Sequence, residues 1–404
     1  MIRKSIDFSV YLLIIIIALF AGGTIFLFLT INSDPIEGDL ADDRVITSLF
    51  IIENDNKPLG TYLILLYPPN KQFAVFEITG DIGLIINEVN RVDRIDSVYR
   101  KGRITPFVGE IEKLLALTIR YTIVFDLDDL CSGTDLLEGV TVFVPGKTEY
   151  FSSTQSVIFP YGLVKMDGSK LKRYLTFENE DYETEKLNLR NQRFFTAFIK
   201  RIAEQKNYLN NSVINDKFDA FVKGNMNHRT KKRFFSELSI IDTDRIAITG
   251  VGGNYRNVSG NNLLIPYNNG SLIKEIVNHT LASLTRKTSA GEGYRIFTVE
   301  VLNGTGTSGL ASRTAELIGG FGYDVMGIGN ADRTDYEKTE IIDRTGTKEN
   351  AEKFGEIIRC KNITDESPQK EEGENTALLS LSDYELKADF TLIVGRDFNG
   401  RYCQ

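Results

Sequence analysis

FSVYLLIIIIALFAGGTIFLFLTI, residues 8–31, is the stretch that predicts on which side of a membrane the rest of the chain lies. It contains no charged residue, and a helix of this length, rising about 1.5 Å per residue, can cross a hydrocarbon core of about 30 Å. A cleaved signal peptide is the alternative, but its apolar region is usually only about 7–15 residues long and ends at a small-residue cleavage site. Arg3 and Lys4 precede the run and acidic residues follow it, which places the N-terminus inside. We therefore predict an uncleaved single-pass anchor in the cytoplasmic membrane, with residues 1–7 as a cytoplasmic tail and the bulk of the chain extracytoplasmic.

The composition limits the function of the exported part. The net charge of −8 is spread along the chain, which argues against a nucleic-acid partner. With only two histidines, a His-based zinc site has almost no ligands. The three cysteines are either free thiols or include a pair between Cys360 and Cys403. A basic cluster, HRTKKR at residues 228–233, could contact phosphates, but a solvated helix face is the simpler interpretation.

The pattern along the chain predicts two α/β domains. After a polar linker at residues 32–47, the runs TYLILLY (61–67) and FAVFEI (73–78) predict a β-hairpin within a domain of residues 48–284. TRKTSAGEG is a second linker, at residues 285–293. Strands and helices then alternate again, which predicts a small α/β domain over residues 294–404.

A glycine motif opens this small domain. GTGTSG, residues 304–309, spells G-x-G-x-x-G between a predicted strand and a predicted helix, and Asp324 follows at a distance that suits a ribose contact. However, little more than one mononucleotide-binding half follows the linker, and Asp324 opens its strand instead of ending it. We therefore predict no nicotinamide cofactor and a tight turn in which glycines allow close packing.

The same region resembles a known family. VEVLNGTGTSGLASRTAELIGGFGYDV and ADFTLIVGRDF resemble the C-terminal domain of the LytR–CpsA–Psr (LCP) envelope proteins, from residue 294 to about residue 398. The middle of the chain resembles the larger domain of that family through IDSVYRKG (95–102), FDLDDLCSGTDLLEGVTVFVP (125–145) and MDGSKLKRYLTF (166–177). The resemblance implies an N-terminal transmembrane helix, a mixed α/β LCP-like domain with a central sheet, and a small α/β C-terminal domain.

The resemblance also implies a chemistry. The family transfers a phosphorylated glycan from a polyprenyl-pyrophosphate carrier to the cell wall. Aspartates hold Mg²⁺ and arginines clamp the pyrophosphate, because both neutralise charge on phosphoryl oxygens. The positions that could carry this activity here are Asp81, Arg94, Arg190 and Gln192, with Asp81 as the candidate Mg²⁺ ligand.

Several positions of the family pattern are substituted. Where the family has an aspartate on the first strand and cationic clamps elsewhere, this sequence has Gly60, Gly80, Thr176, Glu178 and Leu187. Other arginines lie close in sequence and could compensate, at positions 91, 103, 173 and 193. The sequence also leaves plainer roles open: Asp81 could be a turn residue, and Arg190 could lie on an exposed helix face.

The sequence therefore favours a non-catalytic or weakly active binding or scaffold module in cell-envelope biogenesis. The alternative is a divergent phosphotransferase that needs Mg²⁺. A transcriptional regulator is disfavoured, because a tail of residues 1–7 cannot form a DNA-binding domain. The predicted partners are the cytoplasmic membrane and either a polyprenyl-phosphate lipid or a cell-wall glycan.

Overall fold

The computed structural model describes residues 8–31, 35–86, 88, 90–145, 148–151, 156–177, 184–241, 243, 246, 248–285, 297–366 and 388–404. The first element is helix α1, Phe8–Ile31, with 24 residues. A search of the described residues for a helix that is both long and apolar enough to span a bilayer finds none. The transmembrane anchor therefore stays a prediction from the sequence, and the tail of residues 1–7 lies outside the described residues.

The large domain is a mixed α/β fold, as the sequence predicts. Its helices are α2 (Pro35–Ala41), α3 (Thr105–Leu115), α4 (Leu127–Leu136), α5 (Gly168–Thr176), α6 (Thr184–Glu204), α7 (Lys206–Leu209), α8 (Ser212–Phe221), α9 (His228–Leu238) and α10 (Ser271–Leu284). Its strands are β1 (Ile46–Asn54), β2 (Lys57–Tyr67), β3 (Gln72–Glu77), β4 (Gly83–Ile86), β5 (Arg91–Arg94), β6 (Tyr121–Asp126), β7 (Val140–Val144), β8 (Thr148–Phe151), β9 (Ser156–Phe159), β10 (Gly162–Met166), β11 (Lys223–Gly224), β12 (Ile248–Gly250), β13 (Gly253–Val258) and β14 (Asn261–Pro266).

A six-stranded sheet forms the centre of this domain, in the order β11-β6-β1-β2-β3-β12. The predicted hairpin is confirmed: β2 and β3 pair antiparallel and are joined by a 3-10 turn, Pro68–Asn70. Strand β1 is buried along almost its whole length. Alternate residues of β1 face two apolar layers, one containing α3 and α10 and the other containing α4, α6, α8 and α9. A strand covered on both faces has the near-continuous apolar sequence seen here.

Part of the predicted linker at residues 32–47 belongs to the fold. Helix α2 packs on the domain with Ile36 and Asp39 buried. The Asp39 carboxylate accepts a hydrogen bond from the Tyr121 hydroxyl at 2.6 Å and pairs with Arg120. A buried carboxylate needs such partners, and together they hold α2 against β6. The second linker, residues 285–293, lies outside the described residues beyond Thr285.

The C-terminal domain is the small α/β unit that the sequence predicts. Its elements are β15 (Thr298–Asn303), α11 (Leu310–Gly320), β16 (Asp324–Asn330), β17 (Glu340–Asp343), α12 (Lys348–Ile358), β18 (Ile363–Asp365) and β19 (Phe390–Val394). The strand order is β16-β15-β19-β17-β18. β15 runs parallel to β19 whereas β17 runs antiparallel to it, so two βαβ units flank the central strand in opposite directions.

These two units share a turn that the sequence analysis did not recognise as a repeat. After β15, the Thr305 backbone N–H and hydroxyl both donate to Asn303 Oδ1, at 3.0 and 2.9 Å. After β17, Thr345 donates in the same way to Asp343 Oδ1, at 2.8 and 2.7 Å. A Cβ on Gly304 would lie 2.9 Å from the Val394 carbonyl oxygen. The first glycine of the G-x-G-x-x-G motif is therefore explained by close packing.

Helix α10 connects the two domains. The apolar layer that contains α10 continues into the C-terminal domain through Ile276 and α11. The rings of His279 and Phe321 lie 5.5 Å apart, edge to face. The Tyr267 hydroxyl, from the turn before α10, donates to Glu316 Oε2 on α11 at 3.5 Å. The domain boundary that the sequence places between them is thus crossed by apolar and polar contacts.

Candidate functional site

The turn between β3 and β4 carries Gly80 and Asp81, and the hairpin β4–β5 folds back beside it. The Ile95 backbone N–H donates to Ile82 O at 2.8 Å, and the Asp96 N–H donates to Gly80 O at 3.3 Å. These bonds place the start of the 3-10 turn Ile95–Val98 directly against the Gly80 turn. Residues that are distant in sequence thereby share one neighbourhood.

Asp81 is a buried turn residue whose side chain is only partly satisfied. It is 5% exposed. Its Oδ2 accepts a hydrogen bond from the Tyr255 hydroxyl at 3.0 Å, whereas its buried Oδ1 has no hydrogen-bond partner among the described residues. The Asp81 carbonyl accepts from Leu264 N–H at 3.0 Å, which ties the turn to β14.

Arg94 is already bound by a carboxylate. Its Nε and terminal nitrogen donate to the two oxygens of Asp96 at 2.8 and 2.6 Å. This fork raises the pKa of Arg94. A Cβ on Gly80 would overlap the Asp96 carboxylate, so this acid occupies the space from which a side chain at position 80 would extend. On the same hairpin, two nitrogens of Arg91 donate to one oxygen of Asp93, Oδ2, at 2.9 and 2.6 Å.

Gln192 reaches the site through a buried acid, Glu77. Its Nε2 donates to Glu77 Oε2 at 2.7 Å. Burial raises the pKa of Glu77 to about 7, although the bond from Gln192 opposes this shift; the negative charge of Asp81 adds to it. On the paired strand, the Tyr62 ring lies beside Gly60, where a Cβ would be 3.1 Å from Tyr62 Cε2.

Arg190 points away from Glu77 although it is two residues from Gln192 on α6. Its terminal nitrogen donates to Phe177 O at 2.9 Å, and its guanidinium lies 4.1 Å from the centroid of the Phe177 ring. The interpretation of Arg190 as an exposed helix residue is wrong, because the residue is 5% exposed. The structure therefore places Arg94, and Glu77 with its partner Gln192, within electrostatic range of Asp81, and directs Arg190 towards the end of α5.

Comparison with known proteins identifies the family. A model described as the LytR_cpsA_psr family matches residues 60–279, which is more than half of the 404 residues. The chain belongs to the LytR–CpsA–Psr family. A second model, described as LytR cell envelope-related transcriptional attenuator, matches residues 297–398 of this LCP protein. No curated protein matches the sequence.

Solved structures share the LCP fold. The crystal structure of TagV from Bacillus subtilis is similar with a TM-score of 0.53 and 19% identity, over 61% of this chain and 99% of that one. The protein gbs0355 from Streptococcus agalactiae is similar with a TM-score of 0.52 and 12% identity, over 63% of this chain and 92% of that one. At these identities the similarity concerns the fold alone.

Sequence reasoning missed three groups at the site of this LCP protein. Glu77 could have been found, because it shares a strand face with Val75, where an apolar residue is expected. Asp96 could also have been found, because a charged residue stands at the second position of IDSVYRKG, where the family motif has asparagine. Tyr255 gives no local signal, since it lies 174 residues from Asp81 in sequence.

The remaining substituted positions add no cation to the site. The Thr176 side chain is exposed and donates to Lys172 O at 2.8 Å, at the end of α5. Arg173 is exposed on the same helix. Arg103 is likewise exposed. Glu178 and the Leu187 side chain lie outside the described part of the chain.

The described donors fit Mg²⁺ poorly. Within the described ranges, no group of three or more His, Cys, Asp or Glu side chains is arranged to hold a metal ion. Asp81 offers one buried oxygen, but Asp93 and Asp96 are engaged by arginines. Mg²⁺ takes near-ideal octahedral oxygen coordination, and neither engaged carboxylate can turn towards Asp81 without losing its fork.

Proposed function

We propose that this LCP protein is a membrane-anchored, extracytoplasmic binding or scaffold module in cell-envelope biogenesis, with little or no phosphotransferase activity. One observation carries the proposal. The Asp96 carboxylate fills the space at Gly80 and forks with Arg94, so an acid stands where the resemblance implies a phosphate-clamping cation.

The charge around the Gly80 turn opposes a pyrophosphate. Glu77, Asp81, Asp93 and Asp96 lie here with Arg91 and Arg94, and each arginine is paired with an aspartate. A pyrophosphate would have to displace Asp96 from Arg94 and approach the remaining acids. A hydrogen bond to a charged group contributes about 1.5–3 kcal/mol, so the loss of several clamps removes most of the stabilisation that transfer requires.

The interior beside α6 favours a glycan over a buried lipid tail as the ligand. Aromatic rings fill the described layer between the central sheet and this helix. Phe50 lies 5.2 Å from Phe195 and 6.2 Å from Phe198, measured between ring centroids, and all three are fully buried. A polyprenyl chain would have to displace such rings, whereas a cell-wall glycan can bind at the surface.

The location rests on the N-terminal sequence. The apolar run of α1 and the flanking Arg3 and Lys4 support a single-pass anchor in the cytoplasmic membrane with the N-terminus inside. Protease added to spheroplasts should digest the bulk of the chain and spare an N-terminal tag. Digestion of the tag with protection of the bulk would reverse the proposed orientation.

The alternative to the scaffold is a divergent phosphotransferase, and the free buried oxygen of Asp81 supports that alternative. A transfer assay distinguishes the two. The substrate is a polyprenyl-pyrophosphate glycan with Mg²⁺ and cell wall as acceptor. We expect no turnover above background for the wild type. If the wild type turns over, the variants separate the two readings. Loss of turnover in both Asp81→Ala and Arg190→Ala, with turnover kept in the exposed control Arg173→Ala, would establish the phosphotransferase instead.

Pyrophosphate binding tests the charge argument directly. Asp96→Asn should release Arg94 and remove one acid, and so raise the affinity for inorganic pyrophosphate about tenfold in calorimetry. The matched control is Asp93→Asn, which breaks the fork with Arg91, whose side chain is 70% exposed. It should have a smaller effect, because the guanidinium that it frees is more exposed than that of Arg94, which is 41% exposed, and its charge is better screened by water. Equal affinities for the wild type and Asp96→Asn would refute the role given to Asp96.

A further inference from the structure

The last residues of the chain form a strap between the two domains. The Arg401 guanidinium donates to Ile357 O at 2.6 Å and to Glu275 Oε2 on α10 at 2.5 Å. The Tyr402 hydroxyl donates to the same Glu275 oxygen at 3.3 Å. The Arg401 guanidinium also lies 5.0 Å from the centroid of the Phe321 ring. The segment that follows β19 thus bridges the C-terminal domain and α10.

The strap is held at its end by Cys403. The Cys403 backbone N–H donates to Ile358 O at 2.8 Å, and Cys403 also bridges to Phe398. This backbone bond places Cys403 beside Ile358, the last residue of α12. Cys360 follows Ile358 by two residues. Cys360 is itself fixed there, because its N–H donates to Gly355 O at 2.9 Å.

The two thiols meet at this point. Cys360 Sγ donates to Thr339 O at 3.4 Å, and Cys403 packs against the apolar cluster to which Cys360 belongs. Cys360 is 5% exposed and Cys403 is partly exposed. The bond with Cys403 lowers the pKa of Cys360, which favours its reactive thiolate form. A buried thiolate beside a partly exposed thiol is suited to thiol–disulfide exchange.

We propose that Cys360 and Cys403 form a disulfide, and that this bond locks the strap in the position from which Arg401 and Tyr402 bind Glu275. The inference rests on the proposed function only for its oxidising compartment. One cysteine thiolate attacks a disulfide of an oxidant, either a thiol–disulfide oxidoreductase or a small disulfide, and forms a mixed disulfide. The other thiolate then displaces the oxidant's second sulfur. The cysteines lose two electrons and two protons, and the oxidant leaves as two thiols.

Thiol counting on the purified full-length protein tests the bond. After incubation with oxidised glutathione and denaturation without reductant, we expect one reactive thiol, Cys131, and after reduction all three cysteines. Cys131→Ser should then show none before reduction. Cys403→Ser cannot form the internal bond, so Cys360 should stay free or keep one bound glutathione, which intact-mass measurement detects and which the oxidised wild type should lack. Three reactive thiols in the oxidised wild type would refute the disulfide. The thiol count depends on neither transfer activity nor membrane location, so it is independent of the proposed function.

Hydrogen exchange tests the lock by comparing the oxidised and the reduced wild type. Oxidised wild type should exchange more slowly than reduced wild type in α10 and in residues 397–404, and its melting temperature should be roughly 5–10 °C higher. Cys403→Ser should behave like the reduced protein, whereas Cys131→Ser should keep the difference. A disulfide that forms without changing exchange in α10 would refute the lock.

Discussion

The protonation of Glu77 depends on the groups that surround it at the site. It lies 5% exposed between Gln192 and the charge of Asp81, and burial raises its pKa to about 7. In a pyrophosphate site, nearby guanidinium groups would hold such an acid ionised. Here burial is the main cause of the raised pKa, and the negative charge of Asp81 adds to it.

This shift makes stability depend on pH. The folded pKa is raised above the unfolded value of 4.5, so the folded protein retains a proton that the unfolded chain loses. Stability should therefore fall by about 3 kcal/mol as pH rises from about 4.5 to 7, and then level off. Glu77→Gln keeps a partner for Gln192 and should remove this loss, so that the variant is the more stable protein at pH 8. Urea unfolding across this pH range provides the measurement.

The control for this prediction is Glu352→Gln on α12, whose side chain is 54% exposed. It should leave the pH profile of the wild type unchanged. If Glu77→Gln shows the same fall in stability between pH 4.5 and 7 as the wild type, Glu77 is not the group responsible.

At the scale of elements, α6 supports both the core and the site. One side of the helix inserts Phe194, Phe195 and Phe198 into the layer under the central sheet. The Phe195 ring stacks on Tyr62 with centroids 3.9 Å apart. The same helix presents Gln192 to Glu77, so the packing of the phenylalanines sets the position of the polar contact.

Phe195→Ala should therefore cost about 3–5 kcal/mol of unfolding free energy, because it leaves a cavity against Tyr62 and Phe50. Leu189→Ala on the same helix is the control, since Leu189 is 40% exposed and should change stability by less than about 1 kcal/mol. Chemical denaturation measures both. Similar losses in the two variants would contradict the packing described for α6.

Helix α2 makes a second prediction at this scale. Asp39→Ala removes the acceptor for Arg120 and Tyr121 and should destabilise the protein by about 2 kcal/mol. Hydrogen exchange in α2 should rise accordingly. Asp42→Ala is the matched control, on the turn after α2, and should leave exchange in α2 unchanged. The Asp42 side chain is 56% exposed and pairs with Arg44. Unchanged exchange in α2 after Asp39→Ala would show that apolar packing alone holds the helix.

At the scale of the whole molecule, α10 and α11 of the two domains are in contact at Gly320. A Cβ on Gly320 of α11 would lie 2.8 Å from Ile276 Cδ1 on α10, whereas a Cβ on Gly319 would meet nothing within 4 Å. The Ile276 side chain thus fills the space that a side chain at position 320 would need.

Gly320→Phe should wedge the domains apart. We expect faster hydrogen exchange in α10 and two separate transitions in calorimetry, because each domain has its own sheet and helices. Gly319→Phe is the control and should retain the behaviour of the wild type. A single transition and unchanged exchange for Gly320→Phe would mean that the interface adapts to the added ring.

Patterns in the sequence predicted much of the fold. Alternating apolar runs predicted the β2–β3 hairpin, and restarting strands and helices predicted the C-terminal domain, because these signals are local and depend on the period of each element. Family motifs pointed to Asp81, Arg94, Arg190 and Gln192; their role stays a prediction, and the structure directs Arg190 to Phe177 instead of to Asp81. The packed helix α2 was missed, because its burial depends on Arg120 and Tyr121, about 80 residues away.

Sequence by itself thus determined most of the elements, their order, the family, and the two positions, Gly60 and Gly80, at which an expected aspartate and an expected cation are missing. Tertiary structure alone decided what took their place. The Asp96 carboxylate at Gly80, the hydroxyl of Tyr255 on Asp81 and the meeting of Cys360 with Cys403 join segments that no period relates. Their proximity follows from how strands and helices pack into a sheet and its layers, and the charge, pKa and reactivity of these groups follow from that proximity.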